Sequence, residues 1–133
     1  MAVELESQNP GATPQQLNAL SQEVGRAPDS YVRFLKKHNG VVPKSNKFRV
    51  RSDRTGSLRE MFGSDEALAV WKQMRSELGP DVLPIGEAEG GNLICLALRD
   101  GRVLYWDHDY WGSDGMTLVA ESVEDLMGML RAS

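Results

Sequence analysis

Gly90-Gly91-Asn92-Leu93-Ile94-Cys95-Leu96-Ala97-Leu98, then Arg99-Asp100-Gly101-Arg102, then Val103-Leu104-Tyr105-Trp106-Asp107-His108-Asp109, is the stretch whose reading decides the fold. Two apolar runs flank Asp100-Gly101, a dipeptide that reaches the positive φ angles of a type I′ turn with little strain. The pattern predicts a tight hairpin at the centre of a sheet. Strand alternation sends Leu93, Cys95 and Ala97 one way and Ile94, Leu96 and Leu98 the other. Neither set is polar, so the strand is expected to be covered on both faces. Cys95 is the single cysteine of the chain and lies inside this strand, which excludes an internal disulfide. A reducing, cytoplasmic setting fits that usage. No base is placed beside the thiol by sequence, so Cys95 reads as a small core hydrophobe.

Upstream, residues 1–12 are polar, with Pro and Gly and little to bury, and read as a flexible leader to a single domain over 13–133. Thr13 is a good N-cap, Pro14 suits the first helical position and Gln16 can close a capping box. Leu17, Leu20 and Val24 recur at helical spacing until Gly25. After Pro28, Tyr31, Phe34, Leu35 and His38 form a second apolar stripe that stops at Asn39-Gly40. The two stripes predict a helix pair as an N-terminal layer.

Lys47-Phe48-Arg49-Val50-Arg51 alternates strictly, placing Phe48 and Val50 inward and the three bases toward water. Such strands often form sheet edges. Leu58 to Phe62 is ambiguous between strand and helical turn. Ser64 is the expected cap of a third helix carrying Leu68, Trp71, Met74 and Leu78. Val82 to Ile85 reads as a short or edge strand, because Pro84 interrupts it. Downstream of the opening stretch, Met116 to Ala120 reads as a strand. Ser122 caps a last helix through Val123, Leu126, Met127 and Leu130. The sum is an α+β fold: a single, mainly antiparallel sheet packed against about four helices.

At 133 residues the chain is long enough for a core without metal or disulfide staples. No apolar run approaches the roughly 20 residues that cross a bilayer, so no membrane partner is expected. The net charge of −4 argues against direct nucleic-acid binding. Charge is uneven, with Lys44, Lys47, Arg49, Arg51, Arg54 and Arg59 in one segment and Asp100, Asp107, Asp109, Asp114, Glu121, Glu124 and Asp125 in the last third.

Candidate sites are few. If the strand ran on, Asp107 and Asp109 would share a face while His108 pointed away, so no metal site is expected there. Nor is there a Cys/His cluster with zinc spacing. Gly86, Gly90, Gly91 and Asn92 lack the Lys-Ser/Thr ending of a phosphate loop and read as a bend or bulge. No nucleophile–base pair emerges, so no enzyme, catalytic residue or cofactor is expected. Aromatics among acids are good anchors for a basic protein. Glu87, Glu89, Asp107, Asp109, Tyr110, Trp111 and Asp114 are therefore the expected partner-binding patch. Lys47, Arg49 and Arg51 form the rival surface.

Pro28 to Gly40, with Tyr31, Phe34-Leu35 and Asn39-Gly40, resembles the N-terminal signature of the SUKH superfamily, which includes the Smi/Knr cell-wall-regulator domain. The resemblance continues through Leu83-Pro84-Ile85-Gly86, Gly91-Asn92-Leu93-Ile94-Cys95-Leu96 and Val103 to His108. It ends with Ala120-Glu121-Ser122-Val123-Glu124-Asp125-Leu126. In the family's order these fragments span residues 15–130. Ala27 stands where Leu usually precedes the proline, and Val123 replaces a large aromatic; both are packing changes. The resemblance implies an α+β fold, no established catalytic residues and no cofactor. It also implies a protein partner. For a bacterial immunity protein that partner is a toxin domain with a basic surface, often a nuclease, neutralised by stoichiometric binding. For the cell-wall-regulator branch it is a cellular protein. A homodimer is compatible with either.

Overall fold

The computed structural model describes the backbone of residues 5–110 and 112–132 and the side chains of residues 9–110 and 114–132. In chain order the elements are β1 (Leu5–Gln8), α1 (Pro14–Val24), α2 (Asp29–Lys37), β2 (Val41–Pro43), β3 (Lys47–Arg51) and β4 (Arg54–Met61). Then come α3 (Ser64–Leu78), β5 (Val82–Ala88), β6 (Leu93–Ala97), β7 (Val103–Trp106), β8 (Met116–Ala120) and α4 (Val123–Gly128). Seven strands run in the order β1-β2-β4-β5-β6-β7-β8, with β3 paired beside them to β4. Every strand pairing is antiparallel, as the α+β pattern predicts.

The ambiguous segment around Leu58 is the pivot of this sheet. The first half of β4 pairs with β3, Lys47 opposite Ser57 and Arg49 opposite Thr55. Its second half lies between β2, with Val41 opposite Met61, and β5, with Leu58 opposite Ala88. Pro84 does not make β5 an edge strand. β4 pairs with β5 at Gly86, Glu87 and Ala88, so Pro84 lies beyond that ladder, and its missing N–H is not needed there. The β5–β6 register also shifts between Pro84 and Gly86.

Strands β6 and β7 are neighbours, from Leu93 opposite Trp106 to Leu96 opposite Val103. The tight Asp-Gly turn, however, is not formed. A type I′ turn needs positive φ at both central residues, and here Gly101 alone adopts it, at +82°. The Gly101 amide donates to the Ala97 carbonyl at 2.8 Å, and the Ala97 amide donates to the Arg102 carbonyl at 2.9 Å. Leu98 and Arg99 therefore belong to a wider loop, closed by the Asp100 carboxylate on the Arg102 amide at 3.0 Å.

Both faces of β6 are covered. Ile94, Cys95 and Leu96 are fully buried. Ile94 and Leu96 join the main core with Tyr31, Leu35, Phe48, Leu58, Ile85, Val103, Tyr105 and Leu126. Cys95 packs on the opposite side with Trp106 and Leu78 of α3. Burial pushes the Cys95 thiol well above its ordinary pKa, consistent with a packing role. Ala27 and Val123, the two departures from the family pattern, are both buried.

The first helix has the expected capping box, Thr13 Oγ1 accepting from the Gln16 amide and Gln16 Oε1 from the Thr13 amide. The helix pair is not formed as expected, since α1 lies chiefly against α3 and α2 against α4. Gly63, not Ser64, is the N-cap of α3; the Ser64 amide donates instead to Asn39 Oδ1 at 2.7 Å. Ser122 caps α4 as predicted, accepting from the Asp125 amide. Part of the expected leader is structured: Leu5–Gln8 pair with β2, and the Ala12 amide donates to the Leu35 carbonyl at 2.8 Å. Among the described residues no helix is long and apolar enough to cross a membrane.

Candidate functional site

Strand β7 ends at Trp106, and residues 107–110 turn away from the sheet. The Asp107 amide donates to the Gly115 carbonyl at 2.9 Å, and the Tyr110 amide to the Asp107 carbonyl at 3.1 Å. A Cβ at Gly115 would lie 2.5 Å from the Asp107 carbonyl oxygen, so only glycine lets the two segments approach this closely.

Beneath this turn lies a connected polar network. Tyr105 points into the core face of β7, where its hydroxyl needs partners. It donates to Glu89 Oε2 and accepts from Asn92 Nδ2 at 2.6 Å and Arg54 Nη2 at 3.0 Å. Glu89 follows β5 in a 3-10 turn, Glu89–Gly91, and its other oxygen accepts from the Ser57 amide at 2.8 Å. The Arg54 guanidinium lies 5.0 Å from the Tyr105 ring centroid and donates from Nη1 to Asp107 Oδ2 at 2.8 Å. Asp107 Oδ1 accepts from the Asp109 amide at 3.0 Å. The buried Asn92 amide completes the set, its Oδ1 accepting from the His108 amide at 3.0 Å and lying 2.6 Å from His108 Nδ1.

The charges in this network support one another. The Arg54 hydrogen bond, reinforced by the Asp109 amide, holds the Asp107 carboxyl below the usual carboxylate range. Burial works to raise the Glu89 carboxyl, but hydrogen bonds from Tyr105, the Ser57 amide and Asn92 outweigh it, and the net shift is downward. Burial, then the Glu89 hydrogen bond, pushes the Tyr105 phenol up to about 12. At neutral pH the network therefore holds two carboxylates, one guanidinium and a neutral phenol.

The expected partner patch divides. Asp107 is buried, and both of its carboxylate oxygens are engaged. Glu89 is likewise committed to Tyr105 and Ser57. These two hold the turn from below. Asp109, Tyr110 and Asp114 are exposed, Tyr110 by 58%. Glu87 joins a different group: it sits opposite Glu60, and with Glu66 it repels the Glu60 carboxylate. Glu60, Asp65 and Glu66 line a surface cavity of about 330 Å³ beside the start of α3. Trp111 lies outside the described residues.

Asp107, His108 and Asp109 do not continue the alternation of a strand, contrary to the expectation that kept them from converging. The turn instead brings a ligand atom from each of the three to within 4.8 Å of the others. Asp107 is nevertheless neutralised by Arg54, whose positive charge opposes a cation at that oxygen. The Asp107 carboxylate thus serves the turn's own hydrogen bonding, while the Asp109 carboxylate stays exposed.

Nothing in the sequence pattern marks Arg54 or Asn92 as partners of this turn. Tyr105 carries one usable signal, a phenol on the core face of a strand. Arg54 carries none, because it lies 53 positions from Asp107.

A family model for the SMI1/KNR4 family (SUKH-1) matches residues 11–129. The chain belongs to that family. It is also similar to the SPbeta prophage-derived uncharacterized protein YokK of Bacillus subtilis (strain 168). The two are 27% identical over 139 residues, a match that covers 86% of this chain and 72% of YokK. The fold described above is thus that of a SUKH domain. Membership favours binding over chemistry without selecting a partner.

Proposed function

We propose that this SUKH domain is a non-catalytic protein-binding domain of the immunity type, which occludes a toxin domain stoichiometrically. The carrying observation is that Asp109 and Tyr110 are exposed on a turn held from beneath by Asn92, Asp107 and Arg54. A surface fixed before encounter loses little conformational entropy on docking, and exposed carboxylates around an aromatic ring suit a basic partner. Asp109, Tyr110 and Asp114 make the contact, joined by Trp111. Asp107 and Glu89, linked through Arg54 and Tyr105, hold the turn that carries Asp109 and Tyr110, and Glu87 adds an acidic group on β5 opposite Glu60. The partner is a toxin domain with a basic surface, a nuclease being one such class, and the setting is the cytoplasm.

The regulatory reading keeps the same surface and replaces the toxin with a cellular protein. Similarity to a prophage-derived protein of unassigned role is compatible with both readings. The test is capture from the native cytoplasm by the full chain, with the Asp109→Lys/Asp114→Lys variant as control and mass spectrometry as readout. A protein held by the wild type alone, with a toxin-like domain encoded next to this gene, supports immunity. A wild-type-specific protein encoded elsewhere, with no toxin-like domain, supports regulation. Identical capture by both forms removes the turn from either account.

A further inference from the structure

The basic strand β3 presents a second surface that the acidic turn does not use. Lys47 is paired on both sides, opposite Ser57 of β4 and opposite Arg131 beyond α4. Directly opposed residues of antiparallel pairs share a face, and Arg49 opposite Thr55 repeats that face two residues along. Arg131, Lys47 and Arg49 thus stand together with the hydroxyls of Ser57 and Thr55. Lys47 Nζ lies along this face, donating to Ser57 Oγ at 2.6 Å. Arg49, Thr55 and Arg131 are exposed.

Neighbouring bases are already committed: Arg54 turns inward to Asp107, and Arg51 pairs with Asp53 at 3.1 Å. Among the described residues, none of the ion pairs involves Lys47, Arg49 or Arg131. Guarding a bare strand edge does not account for Lys47. Its amide donates to the Arg131 carbonyl at 2.8 Å and its carbonyl accepts from the Arg131 amide at 3.0 Å, so the edge is closed at that residue.

We propose that this face docks an extended acidic polypeptide segment. Alternate side chains of an extended strand repeat at about 6.6 Å, the same two-residue step that separates Lys47 from Arg49. Successive carboxylates of such a segment therefore meet successive cations. The face offers no ring on which bases could stack. Of the exposed large apolar side chains among the described residues, only Tyr110 is aromatic, and it belongs to the acidic turn. The charge preference is opposite to that of the turn, so the two surfaces take different partners.

The test is fluorescence anisotropy of the full chain with a labelled peptide of alternating glutamate and serine, in parallel with a labelled oligothymidylate. The expected result is peptide binding that weakens with added salt and falls by about tenfold or more in Arg49→Glu/Arg131→Glu. Melting by circular dichroism confirms that this variant folds. Lys36→Glu/Lys37→Glu, which alters exposed bases on α2, and Asp109→Lys should both retain the affinity. Absence of peptide binding, an equal loss in the α2 variant, or tighter binding of the oligonucleotide overturns the proposal. Asp109→Lys tests the acidic turn separately, so the two surfaces fail independently.

Discussion

Arg54 Nη1 lies 2.8 Å from Asp107 Oδ2, and this single contact ties the start of β4 to the turn after β7, across 53 residues of chain. It is half-screened at Arg54 and nearly enclosed at Asp107, whose side chain is 11% exposed. Removing one partner leaves the other without its counter-charge. Arg54→Ala should therefore cost about 1–3 kcal/mol in chemical denaturation. Asp107→Asn keeps the shape and one acceptor, so a smaller loss is expected. Equal stability of wild type and Arg54→Ala would remove the contact from the account.

Acid should dismantle the same network. The folded pKa values of Asp107 and Glu89 are lowered, so both carboxylates add stability above their unfolded values, near 3.9 and 4.3. That contribution fades as pH falls through the folded values. Melting temperature should drop steeply below about pH 4 in the wild type, and less steeply in Glu89→Gln and Asp107→Asn. Identical acid limbs in all three proteins would contradict the charge assignment.

Glu60 has the opposite sign. Burial, then repulsion by Glu66 and Glu87, raises its carboxyl, so the ionised form weighs against the fold at neutral pH. Glu60→Gln should melt higher than wild type at pH 7. The difference should shrink as pH falls below the unfolded glutamate value, near 4.3, where the acid is protonated in both states. A Glu60→Gln protein less stable at pH 7, or a gain that persists in acid, would show that the carboxylate is not under strain.

Asn92 supplies the link between sheet and turn. Asn92→Ala removes the acceptor for the His108 amide and a donor to Tyr105, and should destabilise by about 1–3 kcal/mol. Its more specific effect is local: amide exchange at His108 and Tyr110 should accelerate beyond what the global loss explains. Exchange that rises only with global unfolding would make Asn92 an ordinary core polar group.

Much of the scaffold is local and therefore readable. The Thr13-Gln16 box, the Ser122 cap, the alternation of Lys47 to Arg51 and the two covered faces of β6 each depend on nearby residues. What escaped depends on partners distant in sequence. Pro84 sits in an interior strand because β4 stops short of it, and Asn39 serves α3 from another loop. The turn at Asp100-Gly101 widened because its flanks, not the dipeptide alone, set the register. At the site, sequence proximity groups acids and aromatics that the fold separates. The fold then buried Asp107, turned Glu89 toward Tyr105 and moved Glu87 toward Glu60. Only a long-range contact map could have recruited Arg54 and Asn92.

The central claim is that an exposed acidic turn on a fixed base neutralises a toxin domain by binding it. Calorimetric titration of the full chain with the toxin domain recovered by capture from the native cytoplasm tests this most directly, with wild type and Asp109→Lys/Asp114→Lys measured together. The account predicts a one-to-one complex for wild type, a loss of at least about tenfold in the variant and unchanged melting. Equal affinity of the two proteins, or no complex with the wild type, would contradict it.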